Sequence, residues 1–366
     1  MKKILLLGLA CVAAGAGRSQ DAPPVRLAIV GLVHDHVRPF LPGLEGRRDV
    51  QLVGIVEPNE ELVAYFEAHD HLDAGLFFPT FEALVAKTKV DAVAAFTSTR
   101  DHRRVVEMCA PLGIDVMMEK PLAATYADAR AMADAAGKGG IQLVVNYETT
   151  WYPSTAAAFA LVGAEAIGDV RKIVVHDGHE GPKAIGCSPY FLGWLTDPEL
   201  NGGGAGMDFG CYGADLVTEL MGESRPVSVI AVAQHLQPDA YPKVEDEETI
   251  ILTYPRAQAI LQASWNWPFG RKDMEIYGRA GTVFVPDRSS VLLRKRGETE
   301  SAQPAPALQS PYADSVSYLV AVVRGKIRPS GLSSLKVNLV VSEILDAAKD
   351  SARTGRRVDL EGVPAR

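Results

Sequence analysis

The chain is short of cysteine, of basic charge and of long apolar runs, and each shortage removes a class of function. Only four cysteines occur in 366 residues, and Cys11 falls in the opening segment, leaving Cys109, Cys187 and Cys211. An odd number cannot pair completely, so buried thiols and no disulfide framework are expected. The formal charge is -8 and lysines and arginines are scattered, so nothing in the electrostatics favours nucleic acid. No apolar run reaches the ~20 residues of a membrane span. A complete G-x-G-x-x-G motif is missing too, which matters once the strands are placed.

What is present is a globular composition, 47% apolar and 22% charged, in a chain long enough for two cores. Lys2 and Lys3 followed by small or apolar side chains from Ile4 to Ala16 form the positive-then-apolar pattern of a secretory signal, with Ala14-Gly15-Ala16 as a small-residue cleavage site. The expected organisation is a signal and leader over 1–22, one domain over 23–147 and a second over 148–366. Export to the periplasm or outside the cell follows. Lipid attachment at Cys11 is the lesser option, because Gly8 stands where that signal prefers a large aliphatic residue.

From Val25 to Tyr147, short apolar strands alternate with helical stretches, the pattern of a doubly wound parallel sheet of Rossmann type. Strands are predicted at Arg26–Val30, Leu52–Val56, Asp91–Phe96, Ile114–Met118 and Ile141–Tyr147, with helices at Glu60–Ala68, Phe81–Lys87, Arg103–Leu112 and Leu122–Ala136. After Tyr147, strands at Val170–His176, Val227–Gln234, Glu247–Tyr254, Gln258–Trp265, Asp273–Tyr277 and Gly281–Val285 follow one another with few helices between. That texture predicts an α+β domain whose open sheet is mainly antiparallel, with helices on one face. Tyr318–Val323 and Leu335–Ala352 read as closing helices, Gly355–Leu360 as a tail, and the stretch around Pro304, Pro306 and Pro311 as a surface loop.

The ends of parallel strands are where open α/β sheets bind ligands. Glu119-Lys120-Pro121 ends the fourth long strand, and a lysine there is a candidate proton donor or acceptor. Thr97, Ser98 and His102 follow the strand before it. Gly31-Leu32-Val33-His34-Asp35-His36 follows the first strand but keeps only the first glycine of the phosphate-binding pattern. A helix beginning near His34 would still offer backbone amides to a pyrophosphate. Glu57 ends the second strand about 26 residues beyond Gly31, where an acid takes ribose hydroxyls and repels a 2'-phosphate.

With the later run Gly202-Gly203-Gly204-Ala205-Gly206-Met207-Asp208-Phe209-Gly210-Cys211-Tyr212-Gly213-Ala214-Asp215, these segments resemble, in order and spacing, the Gfo/Idh/MocA oxidoreductases, over roughly Val25 to Leu360. The resemblance implies a nicotinamide cofactor, NAD in preference to NADP and held tightly, on Gly31, Leu32, Val33, His34, Glu57, Thr97, Ser98, His102, Glu119 and Lys120. It implies a carbohydrate substrate on Lys120, Tyr147, His176, His179, Asp208 and Tyr212, and a homodimer or homotetramer formed through the second sheet. Lys120, Asp208 and Tyr212 would be catalytic. Tyr212 replaces the histidine usual in relatives, and its phenol, lowered by the Lys120 ammonium, would take the hydroxyl proton.

His176-Asp177-Gly178-His179-Glu180 and His34-Asp35-His36 could together ligate a divalent metal, or could hydrogen-bond sugar hydroxyls; the second reading is preferred and no metal is expected. Trp151, Tyr152, Trp194, Trp265 and Trp267 offer faces for sugar stacking or core packing. The activity expected is hydride transfer at a hydroxyl-bearing carbon of a sugar, cyclitol or glycoside. Its rivals are a NAD-dependent glycosidase acting through transient oxidation, a cofactor-free sugar binder and metal-assisted hydrolysis.

Overall fold

The computed structural model describes residues 22–360 and 362. The signal and cleavage-site expectations, with Cys11, lie outside them. Six parallel strands form the first sheet: β1 Val25–Val30, β2 Val50–Val56, β3 Phe77–Phe78, β4 Ala92–Ala95, β5 Asp115–Glu119 and β6 Leu143–Asn146, in the order β3-β2-β1-β4-β5-β6. Near-continuous apolar runs suit these strands because both faces are covered. Leu27 and Ile29 enter one core with Phe40, Phe66 and Phe96, while Ala28 and Val30 enter the other with Val93, Ala95, Val116 and Met118. The first core is completed from far along the chain by Val316, Leu319, Val320 and Val322 of the helix Ser315–Val323. Strand order reverses between β1 and β4, which opens a crevice at their carboxyl ends.

The second sheet has nine strands: β7 Val170–Gly178, β8 Ser228–Gln234, β9 Glu247–Thr253, β10 Gln258–Ser264, β11 Arg271–Gly278, β12 Gly281–Val285, β13 Val291–Lys295, β14 Ser301–Gln303 and β15 Val358–Asp359. They lie in the order β14-β13-β12-β11-β7-β10-β9-β8-β15, antiparallel except for the parallel pair β7 and β10. Helices Gly210–Leu220 and Leu335–Thr354 pack on one face. The other face leaves Ile230, Val232 and Tyr277 exposed.

Several local predictions shift. β3, β13, β14 and β15 were not anticipated; all but β13 are two or three residues long and lie at or next to sheet edges, where pattern is weakest. The helix expected from Leu122 begins at Tyr126, with the Thr125 hydroxyl accepting from the Asp128 amide. Leu122, Ala123 and Ala124 favour helix intrinsically, but they form a buried turn against the glycine run. A β-carbon on Gly202 would lie 2.6 Å from the Ala124 carbonyl oxygen, and its φ of +89° also requires glycine. The helix expected near His34 is a single turn, Val37–Phe40.

Candidate active site

β5 delivers Lys120 to the floor of a cleft of about 680 Å³ between the two sheets. Its ammonium donates to Asp208 Oδ1 at 2.5 Å and to the Asp208 carbonyl at 3.1 Å. Asp208 ends the turn Ala205–Asp208, and its second oxygen accepts from Trp265 Nε1 at 3.0 Å. Both residues are 5% exposed. Burial alone would neutralise each, but the attraction between them wins: Lys120 is raised above the ordinary lysine value and Asp208 held below the ordinary carboxylate value. The pair is a fixed ammonium on a fixed carboxylate.

Tyr212 lines the cleft beside them, in a different role from the one expected. Lys120 lies over its ring at 5.1 Å from the centroid and Lys272 at 4.4 Å, so the cations meet the aromatic face. Lys120 makes its hydrogen bonds to Asp208, and burial, reinforced by Glu148, pushes the Tyr212 phenol well above 10. The expectation of a phenol lowered toward neutrality by Lys120 is therefore corrected. Tyr147, expected at the substrate, is fully buried behind the cleft with its ring edge-on to Tyr212 at 5.4 Å.

The two histidines after β7's midpoint part company. His179 lines the cleft; its Nδ1 accepts the Gly181 amide at 2.8 Å, so in the neutral ring the proton sits on Nε2. His176 is turned to Asp273, at 2.7 Å, and Arg271 braces the same carboxylate, so His176 does not line the cleft.

On the other side of the β1 loop lies a second cavity, of about 420 Å³, lined by Gly31, Val33, Glu57, Thr97 and Arg104 among others. Gly31 has φ +82°, and a β-carbon there would meet Thr97 Cγ2 at 2.6 Å and the Phe96 carbonyl oxygen at 2.9 Å. Glu57 accepts the Leu32 amide at 2.8 Å and the Asn59 amide at 2.9 Å, which fixes its carboxylate at the cavity wall. Leu32 contributes only this amide, its side chain being in the core. Ser98 is tied to Asp101 at 2.7 Å, and Thr97 to the Ser98 carbonyl at 3.0 Å. His102, expected at the cofactor, is completely buried, with Nδ1 at 3.1 Å from the carbonyl oxygens of Pro121 and Leu122. It braces the turn after Lys120, and burial pulls it down to about 4.

His34, also expected at the cofactor, is 1% exposed and packed against Phe191 and Trp194. The helix Pro189–Leu195 clamps this loop: Trp194 Nε1 donates to the Val33 carbonyl at 3.2 Å, and the Ser188 amide just before the helix donates to Asp35 at 2.7 Å. The two histidine motifs do not meet in one ligand set. Instead His34, His36 and Glu119 bring potential ligand atoms within 4.8 Å of one another. The Glu119 carboxylate takes hydrogen bonds from His36 and Asn146, and the His34 N–H lies near it beyond hydrogen-bond distance. His34 Nδ1 accepts the His36 amide at 3.2 Å, which puts its proton on Nε2, 4.0 Å from Glu119. His36 Nδ1 contacts Glu119 at 2.9 Å, and Asn146, opposite Glu119 in the β5–β6 register, donates at 2.8 Å.

Glu148 and Lys272 were missed as site residues, and His36, expected only as a metal ligand or sugar contact, lines the cleft beside them. Glu148 pairs with Lys272 across the cleft wall and accepts from Tyr152 at 2.5 Å. The only signal for Lys272 was its place in Arg271-Lys272-Asp273 at the head of a strand, which reads as turn chemistry.

A nucleotide fits the strand-end cavity on two observations: Gly31 leaves it free of a β-carbon, and Glu57 sets an ionisable oxygen pair on its wall. Comparison with known proteins agrees. Residues 25–147 match the oxidoreductase family with an NAD-binding Rossmann fold, and residues 155–284 match the GFO/IDH/MocA C-terminal domain. The trans-1,2-dihydrobenzene-1,2-diol dehydrogenase of Xenopus tropicalis is 28% identical over 217 residues, 59% of this chain and 61% of that one, so the match spans about three fifths of that relative. D-apiose dehydrogenase of Paraburkholderia graminis is 25% identical over 305 residues, 77% of this chain and 76% of that one. Among solved structures, the aldose-aldose oxidoreductase from Caulobacter crescentus complexed with glycerol superposes with a TM-score of 0.79 at 25% identity, covering 92% of this chain and 100% of that one. An inositol dehydrogenase homolog from Azotobacter vinelandii complexed with NAD+ shares the fold, with a TM-score of 0.80 at 17% identity over 93% of this chain and 98% of that one.

Proposed function

Because the chain belongs to the Gfo/Idh/MocA oxidoreductases, we propose that it oxidises or reduces a hydroxyl-bearing carbon of a sugar, cyclitol or glycoside with a nicotinamide dinucleotide. The observation that carries this is the buried Lys120–Asp208–Trp265 constellation at the floor of a cleft, beside a nucleoside-sized strand-end cavity. When bound, the dinucleotide supplies a hydride acceptor or donor. Lys120 uses two of its three N–H bonds on Asp208, which leaves one for the substrate oxygen. Asp208 fixes the direction of that third bond, and Trp265 fixes Asp208. His179 offers its Nε2–H to a second hydroxyl. Tyr212 closes the floor as an aromatic surface under Lys120 and Lys272.

Glu57 favours NAD over NADP, since a buried carboxylate on the cavity wall opposes a 2'-phosphate. The clamp from Trp194 and Ser188 onto the β1 loop favours a slowly released cofactor, as an exported enzyme without a free NAD pool requires. The open sheet face bearing Ile230, Val232 and Tyr277 would pair with a second copy. Native mass spectrometry of the purified protein, followed by denaturation and identification of what is released, tests the reading. NAD near one per chain supports it; a protein that arrives empty and binds neither added NAD nor NADP ends it.

A further inference from the structure

Oxidising an alcohol requires a group that accepts the hydroxyl proton, and the cleft's obvious candidates are engaged. Lys120 is an ammonium locked on Asp208. Tyr212 is a deeply buried phenol. His179 presents an N–H, because its other nitrogen accepts the Gly181 amide. Among the carboxylates, Asp35 accepts the Ser188 amide, Glu148 holds Lys272 and Tyr152, Asp273 holds His176 and Arg271, and Asp287 accepts from Ser289 and Ser290.

His36 differs from all of these. Its side chain is 41% exposed and lines the cleft with Lys120, while Nδ1 contacts the buried Glu119 carboxylate at 2.9 Å. Glu119 is 2% exposed and also takes the Asn146 amide, so it accepts and His36 Nδ1 carries the proton. The other nitrogen, Nε2, then bears the lone pair, on a ring that lines the cleft. Glu148 is electrostatically coupled to this ring, Lys120 lines the same cleft, and the His34 ring lies tilted against it with centroids 4.4 Å apart.

We propose that His36 is the catalytic base, held by Glu119 as a carboxylate–histidine dyad and facing the hydroxyl that Lys120 orients. This rests on the oxidoreductase reading above. The O–H proton passes to His36 Nε2, the C–H electron pair leaves as hydride to the oxidised nicotinamide, and the C=O bond forms. In the reverse direction His36 returns the proton.

The test uses the full chain with added NAD and a panel of myo-inositol, D-glucose, D-xylose and methyl β-D-glucopyranoside. His36→Asn keeps an N–H for Glu119 and removes the basic lone pair; kcat is expected to fall by about 10²–10⁴ with KM changed by less than about threefold. His36→Ala should regain part of its rate in added imidazole. A His36→Asn enzyme within about threefold of native kcat, or an intact His36→Ala enzyme that imidazole does not help, overturns the proposal. A native protein that binds no dinucleotide and turns over nothing instead brings down the parent reading, and this one with it. A second measurement needs no substrate: nitrogen-15 spectra of the native protein should show neutral His36 with the proton on Nδ1, and the Nε2–H tautomer would overturn the assignment.

Discussion

Replacing Lys120 by methionine isolates the energy stored in the pair at the cleft floor. The substitution keeps the length and apolar stem of the side chain but leaves the Asp208 carboxylate buried with the Trp265 N–H as its remaining side-chain partner. Stranding a buried charge costs about 3–5 kcal/mol. The loss has a ceiling, because Asp208 can protonate instead: at about 1.36 kcal/mol per pH unit from an unfolded value near 3.9, that costs roughly 5.6 kcal/mol at pH 8 but only about 1.5 kcal/mol at pH 5. In the native protein the folded pKa of Asp208 lies below its unfolded value, so its contribution is lost only as pH falls through that folded value. In the variant burial acts unopposed and raises the folded pKa, so stability is whole below about pH 4 and erodes as pH rises. Thermal melts should therefore show a drop of about 6–10 °C at pH 8 and about 3 °C at pH 5, taking about 2 °C per kcal/mol. Adding Asp208→Asn should recover most of the loss at pH 8. Equal losses at the two pH values, or a loss below about 1 kcal/mol at pH 8, would refute the electrostatic account.

Tyr212→Phe should lower kcat by less than about tenfold, because a phenol pushed up by burial is no proton acceptor near neutrality; a loss beyond about 10³-fold in steady-state assays would restore tyrosine to that role. Asp177 is 2% exposed with both carboxylate oxygens unpartnered, and burial pushes it up to about 8. Its folded pKa exceeds its unfolded one, so stability is complete below about pH 4 and declines toward pH 8; the advantage of Asp177→Asn should grow by up to about 1.4 kcal/mol per pH unit across that window, and a flat difference in denaturation midpoints would contradict it.

The first sheet was readable because parallel strands covered on both faces leave unbroken apolar runs such as Val25–Val30 and Ala92–Ala95. Lys120 and Asp208 were readable separately, one at a strand end and one in a glycine run whose close packing against Ala124 and Glu245 explains the glycines. Their meeting was implied only by the resemblance, and whether Asp208 holds the lysine or a sugar hydroxyl was left open, since that depends on how the turn after β5 meets the turn at Ala205–Asp208. The same applies to His102, whose partners Pro121 and Leu122 are carbonyls contributed by another loop, and to His36, whose partner Glu119 comes from β5. A histidine's role is set by which of its nitrogens finds a partner, and sequence spacing carries no record of that.

The helix Ser315–Val323 closes one core of the first sheet although more than half of the chain separates it from β1. During synthesis the strands of that sheet emerge first, yet the core around Leu27 and Ile29, begun by Phe40 and Phe66, stays incomplete until Val316 to Val322 have left the ribosome. The nucleotide-binding half is thus born with a sticky side, in need of a chaperone or of rapid completion, and a chain cut short before Ser315 would present that surface to its neighbours.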